Sequence, residues 1–247
     1  MACDGTTQPT LGIVTGLQFE AALLRRTLKA YAKTAQPPAI CPPSIWIICA
    51  GPGRMAAEQA AKDLIAKGAT ALMSLGLAGG LDPALPPGAL ILASHIVNAE
   101  GDSLPTDDAW RARARARLGD KIKLIDGILA ESGAPLASPA EKARLRTATN
   151  ALAVDMESYG VARAAERAGL PFLAMRAIAD RASDPLPPAS LAGAAPDGGI
   201  HAGPVLKELM RRPTDLPALL RLARASAAAQ KSLRDFARLG LPFFGLV

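Results

Sequence analysis

The sequence predicts an α/β fold, a three-layer α/β/α domain with a central mixed sheet. Short apolar runs recur along the chain at 11–16, 45–49, 71–75, 89–97, 122–129 and 172–179, and such runs, lacking polar alternation, mark strands buried on both faces. Between them lie segments whose apolar residues recur at three- and four-residue steps, the spacing of a helix. Half of the 247 residues are apolar, but only two Trp, two Tyr and five Phe are present. The core must therefore be Leu, Ala, Ile and Val, which suits helices packed on a parallel or mixed sheet with right-handed crossovers. A chain of this length fits one large domain.

The run at 11–16 closes on Gly16, and Phe19, Ala22, Leu23 and Leu28 follow at helical spacing, giving strand, tight turn and helix. Glu20 falls in the first turn of that helix, where it either satisfies the helix dipole or serves as a general base. Pro37, Pro38, Pro42 and Pro43 mark a loop before the strand at 45–49. Gly51-Pro52-Gly53-Arg54 then opens a helix carrying Ala56, Ala60, Leu64 and Ile65. Backbone N–H groups at such a glycine-rich turn suit an anion, with Arg54 as a charge-assisted partner; equally, the glycines only make the turn and Arg54 is solvated or paired.

The third strand, 71–75, runs into Gly76-Leu77-Ala78-Gly79-Gly80-Leu81, read as a loop whose glycines let backbone approach a ligand. Pro86-Pro87-Gly88 is a turn before the strand at 89–97. In the polar stretch 100–121, Arg111, Arg113, Arg115 and Arg117 alternate with Ala and read as solvated surface on either a helix or a strand. A strand at 122–129 and a short helix from Pro139 precede the stretch on which the chemistry centres.

That stretch is AVDMESYG at 153–160, a buried strand handing over to a helix with Glu157 in its first turn, followed by FLAMRAIAD at 172–180 with Asp180 at the strand's far end. Each carboxylate lies just beyond a buried segment, where a rigid sheet can aim it into a crevice. Beyond it, 183–204 is rich in proline and glycine and reads as a loop or a lid. His201 within it and His95 in the fourth strand read as incidental. From 216 to 238 Leu222, Ala225, Ala229, Leu233 and Phe236 form an apolar stripe, with Arg224, Lys231, Arg234 and Arg238 on another side, and the tail to Val247 is apolar. This basic amphipathic helix either packs on the domain or rests on an anionic membrane surface.

Composition excludes several classes. The net charge of +6 is concentrated between 207 and 238, where eight Lys or Arg face three acids, and no aromatics interleave with the arginines at 111–117 for base stacking, so nucleic acid is not an expected partner. Three cysteines, Cys3, Cys41 and Cys49, lack paired spacing, which argues against a disulfide framework and a zinc site and for a reducing compartment. No secretory signal and no apolar stretch of about 18 to 20 residues is evident. The glycine patterns match neither a P-loop nor a dinucleotide fingerprint.

Taken together, GIVTGLQFE (12–20) with Leu23, Leu24 and Arg25, GPGRMAA (51–57), GLAGGL (76–81), VDMES (154–158) and MRAIAD (175–180) resemble the nucleoside phosphorylase and nucleosidase superfamily, in that order and at similar spacing. LPPAS (186–190), PDG (196–198), VLKELMRRP (205–213) and LPALLRLAR (216–224) look like its hopanoid-associated phosphorylase branch, whose substrate is adenosylhopane. The resemblance implies a nucleoside phosphorylase-like domain over 1–204, a C-terminal helical extension over 205–247, and an enzyme that releases adenine from a nucleoside with a large apolar 5′ group. It implies that Asp180 donates a proton or hydrogen bond to purine N7, that Glu157 accepts from the ribose 2′- and 3′-hydroxyls, and that Glu20 activates water or contacts the sugar. Met156 would pack under the ribose, Val154 and Phe172 would line the base pocket, and Leu77, Ala78 and Gly79 would border the substrate. Gly51, Gly53 and Arg54 would bind phosphate, as a possible co-substrate, or brace the turn. No metal or organic cofactor is implied, and a cytoplasmic homo-oligomer, peripheral at the inner membrane if the C-terminal helix touches lipid, is expected.

Two departures bear on the substrate: many nucleosidases carry Ser where this chain has Leu77 and Ala179. The alternatives are a 5′-methylthioadenosine, S-adenosylhomocysteine or futalosine nucleosidase, and a non-catalytic nucleoside-binding protein of the same fold.

Overall fold

The computed structural model describes residues 9–34 and 44–239. The proline loop at 37–43, Cys3, Cys41 and the apolar tail from 240 lie outside the described residues. In chain order the elements are β1 (Thr10–Thr15), α1 (Gln18–Thr34), β2 (Ser44–Cys49), α2 (Arg54–Ala66), β3 (Ala71–Gly80), β4 (Leu90–Val97), β5 (Ser103–Pro105), α3 (Asp108–Leu118), β6 (Leu124–Glu131), α4 (Pro139–Thr149), β7 (Ala153–Asp155), α5 (Ser158–Ala168), β8 (Phe172–Asp180), α6 (Pro188–Ala192), α7 (Ala202–Arg211) and α8 (Leu216–Leu239).

All eight strands join one mixed sheet. Side chains alternate across a strand, and here the alternation sorts them into two layers. Leu72, Ala78, Phe172, Ala174 and Ile178 pack under α2 and α5 with Ala57, Ala61, Leu64, Val161 and Ala165. Met73, Leu75, Leu173, Met175 and Ala177 pack on the other face against Leu24 of α1, Trp110, Ala114 and Leu118 of α3, and Ala229, Leu233 and Phe236 of α8. Helices thus cover both faces, the expected three layers. The stripe on α8 is buried against the sheet, and full burial of Leu233 and Phe236 contributes about 1.5–3 kcal/mol each. α7 has no buried side chain. The expected boundary at 204/205 falls inside α7.

The sheet closes on itself. β3 pairs with β8, β8 with β4, β4 with β6, β6 with β7, and β7 back with β3. β1 and β2 extend from one edge of β3. On that edge β1 pairs with residues 71–74 of β3, and β7 takes over at Gly79 and Gly80. Between them, β3 has a stretch without a strand partner on that side, which opens a crevice at the carboxyl ends of β1 and β2.

Four expectations change. The glycine-rich run 76–80 is strand, not loop: pairing with β8 continues through it, and side chains there would collide, since a Cβ on Gly80 would lie 2.8 Å from the Asp180 carbonyl oxygen. The arginine-rich stretch is helical, and Trp110, Ala114 and Leu118 bury one side of it while Arg111 and Arg115 pair with Asp126. Residues 183–204 contain α6 and the start of α7. Glu157 sits at the position just before α5 rather than in its first turn, and its side chain makes no capping hydrogen bond there. Among the described residues no helix is long and apolar enough to cross a membrane.

Candidate active site

Arg176 organises the crevice. It sits mid-strand in β8, 1% exposed, with Nε 2.5 Å from Asp155 Oδ2, Nη2 2.7 Å from Ser74 Oγ and 3.7 Å from Glu157 Oε2. A buried guanidinium needs compensation, and Asp155 supplies it directly. Asp155 in turn accepts from the Glu157 and Ser158 amides at 3.3 and 3.1 Å, fixing the start of α5 and therefore Glu157.

Glu20 and Glu157 reach the same crevice from different elements. Glu20 accepts from Leu17 N at 3.0 Å and from Leu77 N at 2.8 Å. Leu77 lies in the unpartnered stretch of β3, so its amide is available for a side chain. Glu157 accepts from Gly53 N at 3.2 Å, at the N-terminus of α2. Glycine makes both approaches possible: a Cβ on Gly76 would lie 2.7 Å from Glu20 Oε1, and one on Gly16 would lie 2.8 Å from the Glu157 carboxyl. Burial pushes both carboxyls up, Glu157 to about 7, with Asp155 and Glu20 adding to the rise at Glu157 and Arg176 opposing it at both.

Asp180 ends β8 beside Gly79, where a Cβ would be 3.6 Å from both carboxyl oxygens and 3.3 Å from Val154 Cγ1. The β3–β8 register slips here, pairing Ala78 with Ile178 and Gly79 with Asp180. An extra residue on one strand re-aims the side chain that follows. Lys142 of α4 donates to Asp180 Oδ2. Burial pushes the Asp180 carboxyl up from its ordinary value, Lys142 pulls it down, and Asp184 adds to the rise.

Residues 10–209 match the family described as the Phosphorylase superfamily. The chain belongs to that superfamily. No curated protein is significantly similar to it in sequence. Among solved structures, the 5′-methylthioadenosine/S-adenosyl homocysteine nucleosidase of Campylobacter jejuni superposes with a TM-score of 0.66 at 20% identity, covering 94% of this chain and 98% of the other. Futalosine hydrolase of Helicobacter pylori gives 0.66 at 18% identity over 92% and 96%. A putative 5′-methylthioadenosine/S-adenosylhomocysteine nucleosidase from Francisella philomiragia gives 0.67 at 18% over 94% and 98%. At these identities the likeness is one of fold.

In this superfamily member Glu20, Glu157, Asp180, Val154, Leu77 and Gly79 gather along the carboxyl-terminal part of β3, with half-buried Met156 between Asp155 and Glu157. Ala78 packs in the core under α2 and α5. Phe172 does not join them. It begins the strand that Asp180 ends, eight residues or roughly 26 Å away, and it is buried in the core opposite Leu72. A residue at the amino end of β8 lies at the opposite end of the strand from Asp180.

Gly51, Gly53 and Arg54 fit the turn reading. The Gly53 amide is taken by Glu157, and Gly51 and Gly53 have φ of 81° and 109°. Arg54 lies 3.6 Å from both Glu100 and Glu131 and 4.5 Å over the Tyr159 ring. Burial pushes Glu131 up to about 7, with Arg54 opposing and Asp155 and Glu100 adding. His95 and His201 are exposed. Among the described residues no cluster of His, Cys, Asp and Glu is arranged for a metal.

Sequence reasoning missed the roles of Arg176, Asp155 and Lys142. An arginine inside the apolar run at 172–179 was a readable signal, because a buried charge demands a partner. Lys142, in an ordinary polar helix, gave none. A cavity of about 770 Å³ between α1 and α8, with Phe19, Leu23, Arg26 and Arg234 in its lining, is separate from the carboxylates. Geometry and charge, rather than cavity size, single out the crevice.

Proposed function

We propose that this protein hydrolyses the N-glycosidic bond of an adenine nucleoside carrying a large apolar 5′ group, with adenosylhopane as the substrate. The observation that carries the reading is the convergence of three buried carboxyls, Glu20, Glu157 and Asp180, on one end of the sheet, each with its pKa raised. Glu157 accepts from the ribose hydroxyls while positive charge develops at the anomeric carbon. Asp180 donates to N7 as the C1′–N9 bond breaks and its electron pair passes to the purine. Glu20 receives the proton of the water that adds to C1′, and the burial that raises its pKa makes it a stronger base than an exposed carboxylate.

Water is favoured over phosphate as nucleophile because Arg54 already faces Glu100 and Glu131 and the Gly53 amide already serves Glu157. A phosphate would meet three carboxyls and a guanidinium committed to Asp155. Leu77 and Ala179, in place of the serines of many nucleosidases, favour an apolar substrate over methylthioadenosine, S-adenosylhomocysteine or futalosine.

The test is release of the free purine base from each of these four nucleosides, adenine from three and hypoxanthine from futalosine, with and without phosphate. Adenosylhopane is expected to turn over fastest, without phosphate, and Asp180→Asn to lose about 10²–10⁴-fold. Binding without cleavage of any nucleoside would favour a non-catalytic protein instead.

A cytoplasmic homo-oligomer that touches the inner membrane peripherally completes the reading. The contact lies on α7 and the start of α8 rather than on the packed stripe of α8. Leu206, Met210, Leu216 and Leu220 are exposed there, and Ile200 just before α7, amid Lys207, Arg211, Arg212 and Arg221, a composition suited to an anionic bilayer.

A further inference from the structure

Lys142 is one of the most completely buried side chains of the protein, 1% exposed. An ammonium out of reach of water must have every donor satisfied, and this one does. Nζ donates to Asp180 Oδ2, to Arg181 O at 2.8 Å and to Asp184 O at 2.8 Å. All three acceptors lie at the end of β8 or in the turn after it.

The helix that delivers the lysine is fixed at both ends. Ser138 and Glu141 form a reciprocal capping box with Pro139 in the first turn, and Asn150 closes the helix in the left-handed conformation at φ 55°. Arg146 ties the last turn to Asp82 at 2.9 Å and to Ala151 O at 3.0 Å. So much rigidity for a surface helix with one fully buried side chain makes sense if that side chain has a task.

We propose that Lys142 is the positioning residue for Asp180. It holds Oδ2 so that Oδ1 meets the leaving base, and it makes the Asp180–Lys142 pair the unit that delivers the proton. This takes the part of the hydroxyl that is absent at Ala179. The step balances: the C1′–N9 electron pair passes to the purine, N7 takes the proton of Asp180, and Asp180 is left as a carboxylate facing the lysine ammonium, which stabilises the charge just formed. The inference rests on Asp180 being the acid of the proposed reaction. The charged groups that act on Asp180 are Lys142 from α4, which lowers its pKa, and Asp184 from the following turn, which raises it.

The experiment compares wild type, Lys142→Met, Lys142→Arg and Asp180→Asn in adenine release over pH 5–10. Met matches the lysine stem, and Asp180 can take a proton where the ammonium is lost, so the fold is expected to survive. Lys142→Met is expected to lower kcat roughly tenfold or more with little change in KM, and to move the alkaline limb of kcat to higher pH because the group that lowers the Asp180 pKa is gone. Lys142→Arg is expected to restore part of kcat and return the limb toward wild type; should Met prevent folding, Lys142→Gln, which also removes the charge but keeps a donor for the two carbonyls, takes its place and is expected to move the limb in the same direction. A purely structural lysine would lower the melting temperature while leaving kcat and the limb unchanged, and that result overturns the inference. Full activity in Asp180→Asn would instead remove the proposed reaction itself, and the role of Lys142 with it.

Discussion

Replacing Glu157 by Gln should make the protein more stable while removing its activity. The Glu157 carboxyl is held at about 7 against an ordinary 4.5, first by burial and then by Asp155, with Arg176 pulling the other way. Below pH 4.5 the side chain is protonated folded and unfolded, and costs nothing. Between 4.5 and about 7 the folded state keeps a proton that the unfolded state releases, so stability falls as pH rises through this window. Above it the full penalty stands, about 3 kcal/mol at 1.36 kcal/mol for each unit of pKa. Gln keeps an acceptor for Gly53 N and carries no charge. At pH 8 the variant is therefore expected to melt roughly 6–12 °C above wild type, given about 2–4 °C for each kcal/mol in a chain of this size. At pH 5, half a unit above the unfolded value, about 0.8 kcal/mol of the penalty is left, and the gap should narrow to roughly 2–3 °C. Calorimetry at equal protein concentration, beside adenine release, measures both effects. A variant that melts at or below wild type at pH 8, or an advantage that persists undiminished at pH 5, would refute the claim that this carboxylate is ionised at a cost to the fold.

Arg176→Met removes the guanidinium that pairs with buried Asp155 and should cost about 3–5 kcal/mol at pH 8. The loss should shrink at pH 5 as Glu157, held at about 7, takes a proton, and urea titrations at the two pH values check it. Gly76→Ala puts a Cβ 2.7 Å from Glu20 Oε1; displacing that carboxylate should lower turnover about 10²-fold, with at most about 1–3 kcal/mol lost in a melt. Leu206→Glu with Met210→Glu, both at exposed positions, should abolish flotation with anionic vesicles and leave the melting temperature unchanged; equal flotation would remove α7 from the membrane contact.

The order and type of most elements were legible from periodicity, because whether a segment prefers a strand or a helix is written in neighbouring residues. The apolar runs that became β1, β2, β4 and β8 and the stripe of α8 are examples, and the carboxylates Glu20, Glu157 and Asp180 stood out by ending buried segments. Gly76 to Gly80 was misread for the same reason: locally, glycines signal a turn, but here strands β8 and β7 hold them straight. Phe172 was misplaced because a one-dimensional reading assigns a residue to a strand without saying which end faces the ligand.

Only the tertiary structure decided what surrounds each carboxylate. Closure of the sheet leaves Leu77 N for Glu20, α2 offers Gly53 N to Glu157, and α4 brings Lys142 to Asp180 from 38 residues away. Local propensity is a property of adjacent residues, whereas the charge state of a buried acid depends on the desolvation and partners that chain folding brings to it. Nothing along the chain distinguishes a lysine bound for solvent from one bound for the interior.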